Sequence, residues 1–453
     1  MKFFAILKDS LRETLDVKLF YVLVGLSLLV ILFVGSITYK PEPMETEVKP
    51  MMSFTAMAIQ GELNQRKETR GLSVKSELTD FMQLDPAREP WESDHRFKLT
   101  LTLSVEQRPR NPFFDDGEEP PPALDPEKER QAIAAGKESL VPEHLQHLFK
   151  KMLFFVNDVD VAPVAAAEAS QTAFEVTTRG SKIKSRKEWF HKPALFFGLV
   201  EVPVPLMTLA SIVVFIGDWI VGTFGNAVIM FLSTIMTASF LPNMLTRGTV
   251  DLLIVKPIRR TALFIYKFLG GLLFMFLNTA IIMGGIWLAL GVQTGLWINA
   301  FLLCILIYTF QFMIFYSVSA LAAVLTRSAI VAILMSVMLW VLLFGVAWTH
   351  WFFIEKGRDA RPPETTSHWA YIGYDTVHAV LPRYKDLDWL TARMIREELV
   401  DKTTNDSADR ARAIEKLDKE YGSFHWGTSL AGSSVFVIVV VGLACLRFAT
   451  KDY

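Results

Sequence analysis

Apolar and polar positions along this chain follow three rhythms, and each predicts a different element. In residues 1–18, Phe3, Phe4, Leu7, Leu11 and Leu15 recur at three- or four-residue spacing. Lys8, Asp9, Arg12, Glu13, Asp16 and Lys18 fill the other faces. That rhythm predicts an amphipathic helix lying along a membrane surface. In residues 96–105, Phe97, Leu99, Leu101, Leu103 and Val105 alternate with Arg96, Lys98, Thr100, Thr102 and Ser104. This is the period-two pattern of a half-buried strand. The third rhythm is unbroken apolarity. Residues 19–37, 268–326, 328–349 and 427–446 carry no charge, and 202–246 carries only Asp218. A membrane-spanning helix needs about 20 such residues. The stretch 268–326 therefore fits two crossings with a turn at 291–297.

Charge sets the direction of these crossings. The loop 242–267 holds Arg247, Lys256, Arg259, Arg260 and Lys267 against Asp251 alone, and short basic loops stay in the cytoplasm. With the N-terminus also inside, one crossing remains for 202–246. A mid-membrane aspartate would cost about 3 kcal/mol on insertion scales. Asp218 is accordingly expected near the outer interface, with the second span at 222–241 and a re-entrant or interfacial helix at 202–217. A buried functional role for Asp218 is the alternative. A cleaved signal peptide is the rival for 19–37, but its apolar core is usually shorter, about 7–15 residues, and its leader basic rather than mixed.

The expected fold class is an α-helical integral membrane protein with six transmembrane helices and an α+β extracytoplasmic domain between the first and second. The expected segments are a cytoplasmic amphipathic helix (1–18) and a first span (19–39). An extracytoplasmic domain (40–200) follows, then spans two to five (202–349, with the basic loop at 242–267). A second extracytoplasmic segment (350–426) leads to the sixth span (427–448). Both termini would be cytoplasmic in a bacterial inner membrane. The domain at 40–200 opens with Pro41, Pro43 and Pro50, and further strands are expected at 152–161 and 172–178. A helix over 126–150 should be interrupted near Gly136 and Pro142, and 108–126 reads as a loop. About 150 residues can bury a core of their own. Residues 389–421 are charged with a helical pattern. Trp340, Trp348, Trp351, Phe352 and Phe353 suit an interfacial aromatic belt.

Of 453 residues, 51% are hydrophobic, and the net charge is −1. No nucleic-acid partner is expected. Cys304 and Cys445 both lie in apolar stretches, so no disulfide framework is expected outside. No phosphate-cradling Gly-x-x-x-x-Gly-Lys-Ser/Thr occurs, Gly136-Lys137 being followed by Glu138. There is no His-Glu-x-x-His motif, and no acidic residue lies between Lys267 and His350, which argues against an ion-coupled carrier. His144 and His147, beside Glu143, are too few for a convincing metal site. No cofactor, metal or catalytic residue is expected. Asn226, Asn278, Gln311 and Ser317 should hydrogen-bond between helices, and Gly270-Gly271 and Gly284-Gly285 should permit close helix contact.

The basic loop is not uniformly polar. Val250, Leu252, Leu253 and Ile254 form an apolar patch, and Pro257 stops any helix begun at Gly248. A short amphipathic helix able to dock into another protein's groove is expected there. Gly248, Asp251-Leu252-Leu253, Lys256-Pro257-Ile258, Arg259 or Arg260, and Lys267-Phe268-Leu269-Gly270 resemble the segment after the second span of ABC transporter permeases of the type-2 exporter class. The nearest subgroup is the permeases linked to multicopper-enzyme maturation. Residues 381–387, Leu-Pro-Arg-Tyr-Lys-Asp-Leu, resemble that family's outer loop before the last span.

The resemblance implies that Arg247, Gly248, Asp251, Leu252, Leu253, Lys256, Pro257, Arg259 and Arg260 form a coupling helix against a separate ABC ATPase subunit. It further implies a homodimer or paired permease in membrane lipid, with ATP hydrolysis on the partner. The domain at 40–192 departs from the family pattern and leaves an extracytoplasmic partner possible. The alternative reading is a subunit that transmits motion to an envelope partner without carrying cargo.

Overall fold

The computed structural model describes residues 18–65, 69, 72–105, 126–183, 186–202, 207–218, 230–231, 233–235, 259–349, 376–377, 381–404, 407–422 and 424–450. The chain forms α1 (Lys18–Gly35), β1 (Thr38–Pro41), α2 (Met44–Gln65), β2 (Leu72–Gln83) and β3 (His95–Val105). Next come α3 (Pro126–Ser139), α4 (Pro142–Met152), β4 (Val156–Val164), β5 (Gln171–Ser181), β6 (His191–Leu195) and β7 (Val200–Glu201). The remainder is helical: α5 (Leu209–Ile216), α6 (Arg260–Thr294), α7 (Ala300–Thr326), α8 (Ala329–Thr349), α9 (Tyr384–Thr403), α10 (Ser407–Tyr421) and α11 (Trp426–Thr450). Tyr39–Ala194 with Glu201–Leu209 make one compact unit, and the other described residues make a second.

The first unit is built on an antiparallel sheet of order β2–β3–β5–β4. β3 buries His95, Phe97, Leu99, Leu101 and Leu103 and leaves the intervening residues less covered, so the period-two expectation holds. Helices α2, α3 and α4 pack on β2, β3 and β4. They enclose a core that includes Met52, Phe97, Phe149, Phe174 and Trp189. A smaller sheet has the order β1–β6–β7.

Residues 44–65 form a helix despite Pro50. The strand expected at 152–161 begins only at Val156, because Met152 still closes α4. Gly136 does not break α3; a Cβ there would stand 2.9 Å from Leu72 Cδ1, so the glycine serves close approach. The actual break falls at Leu140–Val141, ahead of Pro142. The loop expected at 108–126 lies outside the described residues except for Pro126, which opens α3.

Among the described residues of the second unit, four helices are long and apolar enough to cross a membrane: α6, α7, α8, and the stretch Ser407–Thr450 through its apolar part α11. The described part of α1 is a shorter apolar helix. Helix α7 is central and packs against α6, α8, α9 and α11. The α6–α7 connection is tight. Gly295 takes a left-handed conformation (φ 69°) and donates its N–H to Gly291 O, while Trp297 covers Gly291 so closely that no Cβ would fit. The turn expected at 291–297 thus falls later, after Thr294.

Gly271 and Gly285 serve close helix contact as expected, facing Tyr316 and Ile31, whereas Gly284 faces nothing within 4 Å. Asn278 accepts a hydrogen bond from Ser27 of α1, and Gln311 bonds to α9. Ser317 instead donates to its own helix at Ile314 O. Asn226 and most of 222–241 lie outside the described residues. Among the described residues of 202–217, Leu209–Ile216 is α-helical. Val202 N–H bonds to Pro193 O, and Met207 O accepts from His191 N–H.

Candidate functional site

Residues 247–257 of the expected coupling helix, Arg247, Gly248, Asp251, Leu252, Leu253, Lys256 and Pro257 among them, lie outside the described residues. Arg259 caps α6 with extended backbone (φ −63°, ψ 137°), and Arg260 is its first residue. Helix α6 runs 35 residues, about 52 Å at 1.5 Å per residue. The hydrocarbon layer is only about 30 Å thick, so α6 exceeds it. Its charges are confined to the first turns, at Arg260 and Lys267.

The described residues converge elsewhere, on the first turn of α9. Gln311 lies eleven residues along α7 from Ala300, about 16 Å, and is fully buried. Its Nε2 donates to Asp388 Oδ1 at 2.8 Å and to Tyr384 O at 3.0 Å. Lys385 Nζ meets Asp388 Oδ2 at 3.0 Å. Asp386 is buried and accepts from Ser429 Oγ of α11 at 3.3 Å. Arg383 N–H donates to Ser433 Oγ at 3.0 Å. Around this polar group lies an apolar cluster of Met230, Ile314, Phe315, Leu343, Tyr384 and Val437.

A buried charge is tolerated only when paired and hydrogen-bonded. Asp388 meets that condition through Gln311 and Lys385. The segment that resembled an outer loop therefore sits among the span helices, and its carboxylates come from outside the spans themselves.

Farther along α9, Glu398 accepts from Asn299 N–H at 2.8 Å and Ala300 N–H at 2.6 Å. These are the opening donors of α7, where a carboxylate also complements the helix dipole. Burial pushes the Glu398 carboxyl up, but Lys402 and the two N–H groups bring it below its ordinary value. Asp218, just past α5, pairs with Arg396 at 2.6 Å. Burial opposes the Arg396 charge, yet Asp218 and Glu420 leave its pKa raised. Gly217 beside Phe301 and Ile395 puts this pair level with the start of α7.

A cleft of about 340 Å³ opens nearby, lined by Arg393, Glu397, His425 and Trp426 among others. Elsewhere, His144 bonds to Glu62 at 2.7 Å. Among the described residues no group of three or more His, Cys, Asp or Glu could hold a metal ion.

Chemically, the α9 cluster offers structural charge pairing rather than a nucleophile with its base. Sequence reasoning missed it because 381–387 resembles an outer loop and the helical pattern is clear only from 389, whereas the helix starts at Tyr384. The available signal was the Leu-Pro-Arg-Tyr-Lys-Asp-Leu stretch, combined with the single glutamine of α7, a helix without a charged residue.

No curated protein and no solved structure matches the chain. The family model described as ABC-2 family transporter protein matches residues 4–453, and its members are multi-pass permeases rather than catalysts in their own right. A bundle of long apolar helices, a first turn of α9 seated among them and a match over nearly every residue agree: the chain belongs to the ABC-2 family of transporter proteins.

Proposed function

We propose that this chain is the membrane-spanning permease subunit of an ATP-driven ABC transporter in a bacterial inner membrane. It works as a homodimer or paired permease, with ATP hydrolysed on a separate ATPase subunit. The supporting observation is α6. It begins inside the basic stretch expected as a loop at 242–267, at the Arg259 cap, and continues without proline or break for 35 residues. A push on residues 247–258 would travel along this rod into α1, α7 and α11, which pack against it. Two-state gating needs such an element, biased by differential contacts. The coupling helix lies within residues 247–257, with Leu252 and Leu253 in the ATPase groove, and Arg259 and Arg260 carry its motion into the start of α6. Both termini are cytoplasmic, and the 40–200 domain is extracytoplasmic.

The nearer affinity, with permeases linked to multicopper-enzyme maturation, rests on the same 248–270 residues. A second reading, transmission of motion to an envelope partner, is favoured by the separate core of the Tyr39–Ala194 unit. Co-purification of the chain with an ATPase subunit tests the first reading. Leu252→Asp with Leu253→Asp should abolish it while the chain still inserts; undiminished co-purification refutes the coupling role. Vectorial uptake of a labelled substrate into vesicles, present or absent, separates transport from transmission.

A further inference from the structure

Three successive residues between β6 and β7 adopt the left-handed backbone: Phe196 (φ 51°), Phe197 (φ 58°) and Gly198 (φ 94°). For glycine this is easy; for two bulky phenylalanines it is strained. The surroundings hold the strain in place. Phe197 N–H donates to Ser36 O at 2.7 Å, at the end of α1. The Phe196 ring stands edge-on to Phe33 of α1 with centroids 6.1 Å apart.

The product is an apolar knuckle aimed outward. Phe197 is 74% exposed and Leu199 84%, with Phe196 and Val200 half exposed. A fold under ordinary pressure to bury apolar surface would not hold strained backbone to display such residues to water. The knuckle adjoins α1, whose exposed residues Leu29, Leu32 and Phe33 belong to a helix without a charge beyond Lys18. Its apolar surface is therefore continuous with a lipid-facing one.

We propose that residues 196–200 are a lipid-inserted wedge, seated in the bilayer leaflet at the α1 C-terminal end. The occupant of this surface is phospholipid. The depth follows from the backbone. Irregular backbone cannot lie lipid-exposed in the hydrocarbon core, whereas aromatic side chains are favoured at the interface. The wedge accordingly sits shallow, with its backbone at the headgroups and the Phe197 and Leu199 side chains among the upper acyl carbons. The inference is independent of any ATPase coupling.

The test uses the full chain reconstituted in palmitoyl-oleoyl phosphatidylcholine vesicles. Phe197→Cys and, separately, Leu199→Cys are labelled with bimane, with the unsubstituted chain as the control for Cys304 and Cys445. Lipids brominated near the top of the acyl chain should quench at least threefold more than aqueous iodide or lipids brominated near the chain end. Stronger quenching by iodide in both variants would overturn the wedge. Protection from iodide that vanishes as protein is diluted at constant lipid would also overturn it, in favour of a second copy as the occupant. Either labelled position suffices if the other fails to reconstitute.

Discussion

Replacing Gln311 with leucine should release the first turn of α9 while leaving the helix bundle assembled. The two side chains are similar in volume, so packing in the α7 core changes little. What is lost is a donor to two acceptors, Asp388 Oδ1 and Tyr384 O. A hydrogen bond to a charged group contributes about 1.5–3 kcal/mol and a neutral one about 1 kcal/mol, and a buried acceptor left unsatisfied retains its desolvation cost. The combined local penalty is about 3 kcal/mol, a little over a hundredfold at 1.4 kcal/mol per decade. Hydrogen exchange on the intact chain in lipid nanodiscs reads this directly. Amides of residues 388–392 should exchange about a hundredfold faster in Gln311→Leu, while amides in the middle of α6 stay unchanged. Ser317→Ala serves as the control, because that hydroxyl only returns to its own helix. Unchanged exchange at 388–392, or equal acceleration in the Ser317 variant, would refute the view that Gln311 fastens α9.

Neighbouring glycines in α6 should respond with opposite signs. Gly285→Ala places a Cβ 2.4 Å from Ile31 Cδ1 and 2.6 Å from Cγ1 and should destabilise by about 1–3 kcal/mol. Gly284→Ala meets open space and should be neutral or gain up to about 1 kcal/mol of helix propensity; melting the purified variants in one detergent compares them, and equal shifts would contradict the packing. His95 supplies a pH dependence. Burial lowers its pKa from 6.5 to about 4, so below pH 6.5 the unfolded chain binds a proton that the folded unit refuses. Stability of the Tyr39–Ala194 unit should therefore fall as pH drops from about 6.5 towards 4, by up to about 3 kcal/mol, with His191 acting in the same direction. Exchange of β3 and β5 amides, corrected for intrinsic pH effects, should show this slope, and His95→Phe should make it shallower, leaving the His191 share.

The parts of the fold legible in the sequence were those where one physical demand dominates. Hydrophobic continuity marked α6, α7, α8 and α11, and strict alternation marked β3. Reading failed where two demands compete at one residue. Pro50 lies inside α2, where tertiary packing of Met51, Met52 and Ile59 overrides its helix-breaking tendency. Gly136 looked like a break, yet the need for close approach to Leu72 decided its identity. Counting crossings puts Asp218 near an interface but says nothing of its partner, Arg396, which comes from a helix 178 residues farther along the chain. The α9 cluster was hidden because a side chain's burial depends on the helix that meets it, and Gln311 lies 73 residues from Tyr384 in sequence.

Helix α9 is tied to α7 at two levels, by Glu398 at the opening of α7 and by Gln311 about 16 Å farther along. A single tether would leave a pivot; two leave none. Any tilt of α7 during a working cycle must carry α9 with it as a passenger, like a pointer bolted to a shaft. A spin label on the exposed Glu397 would thus report the inner shaft's swing from a position that water-soluble chemistry can reach.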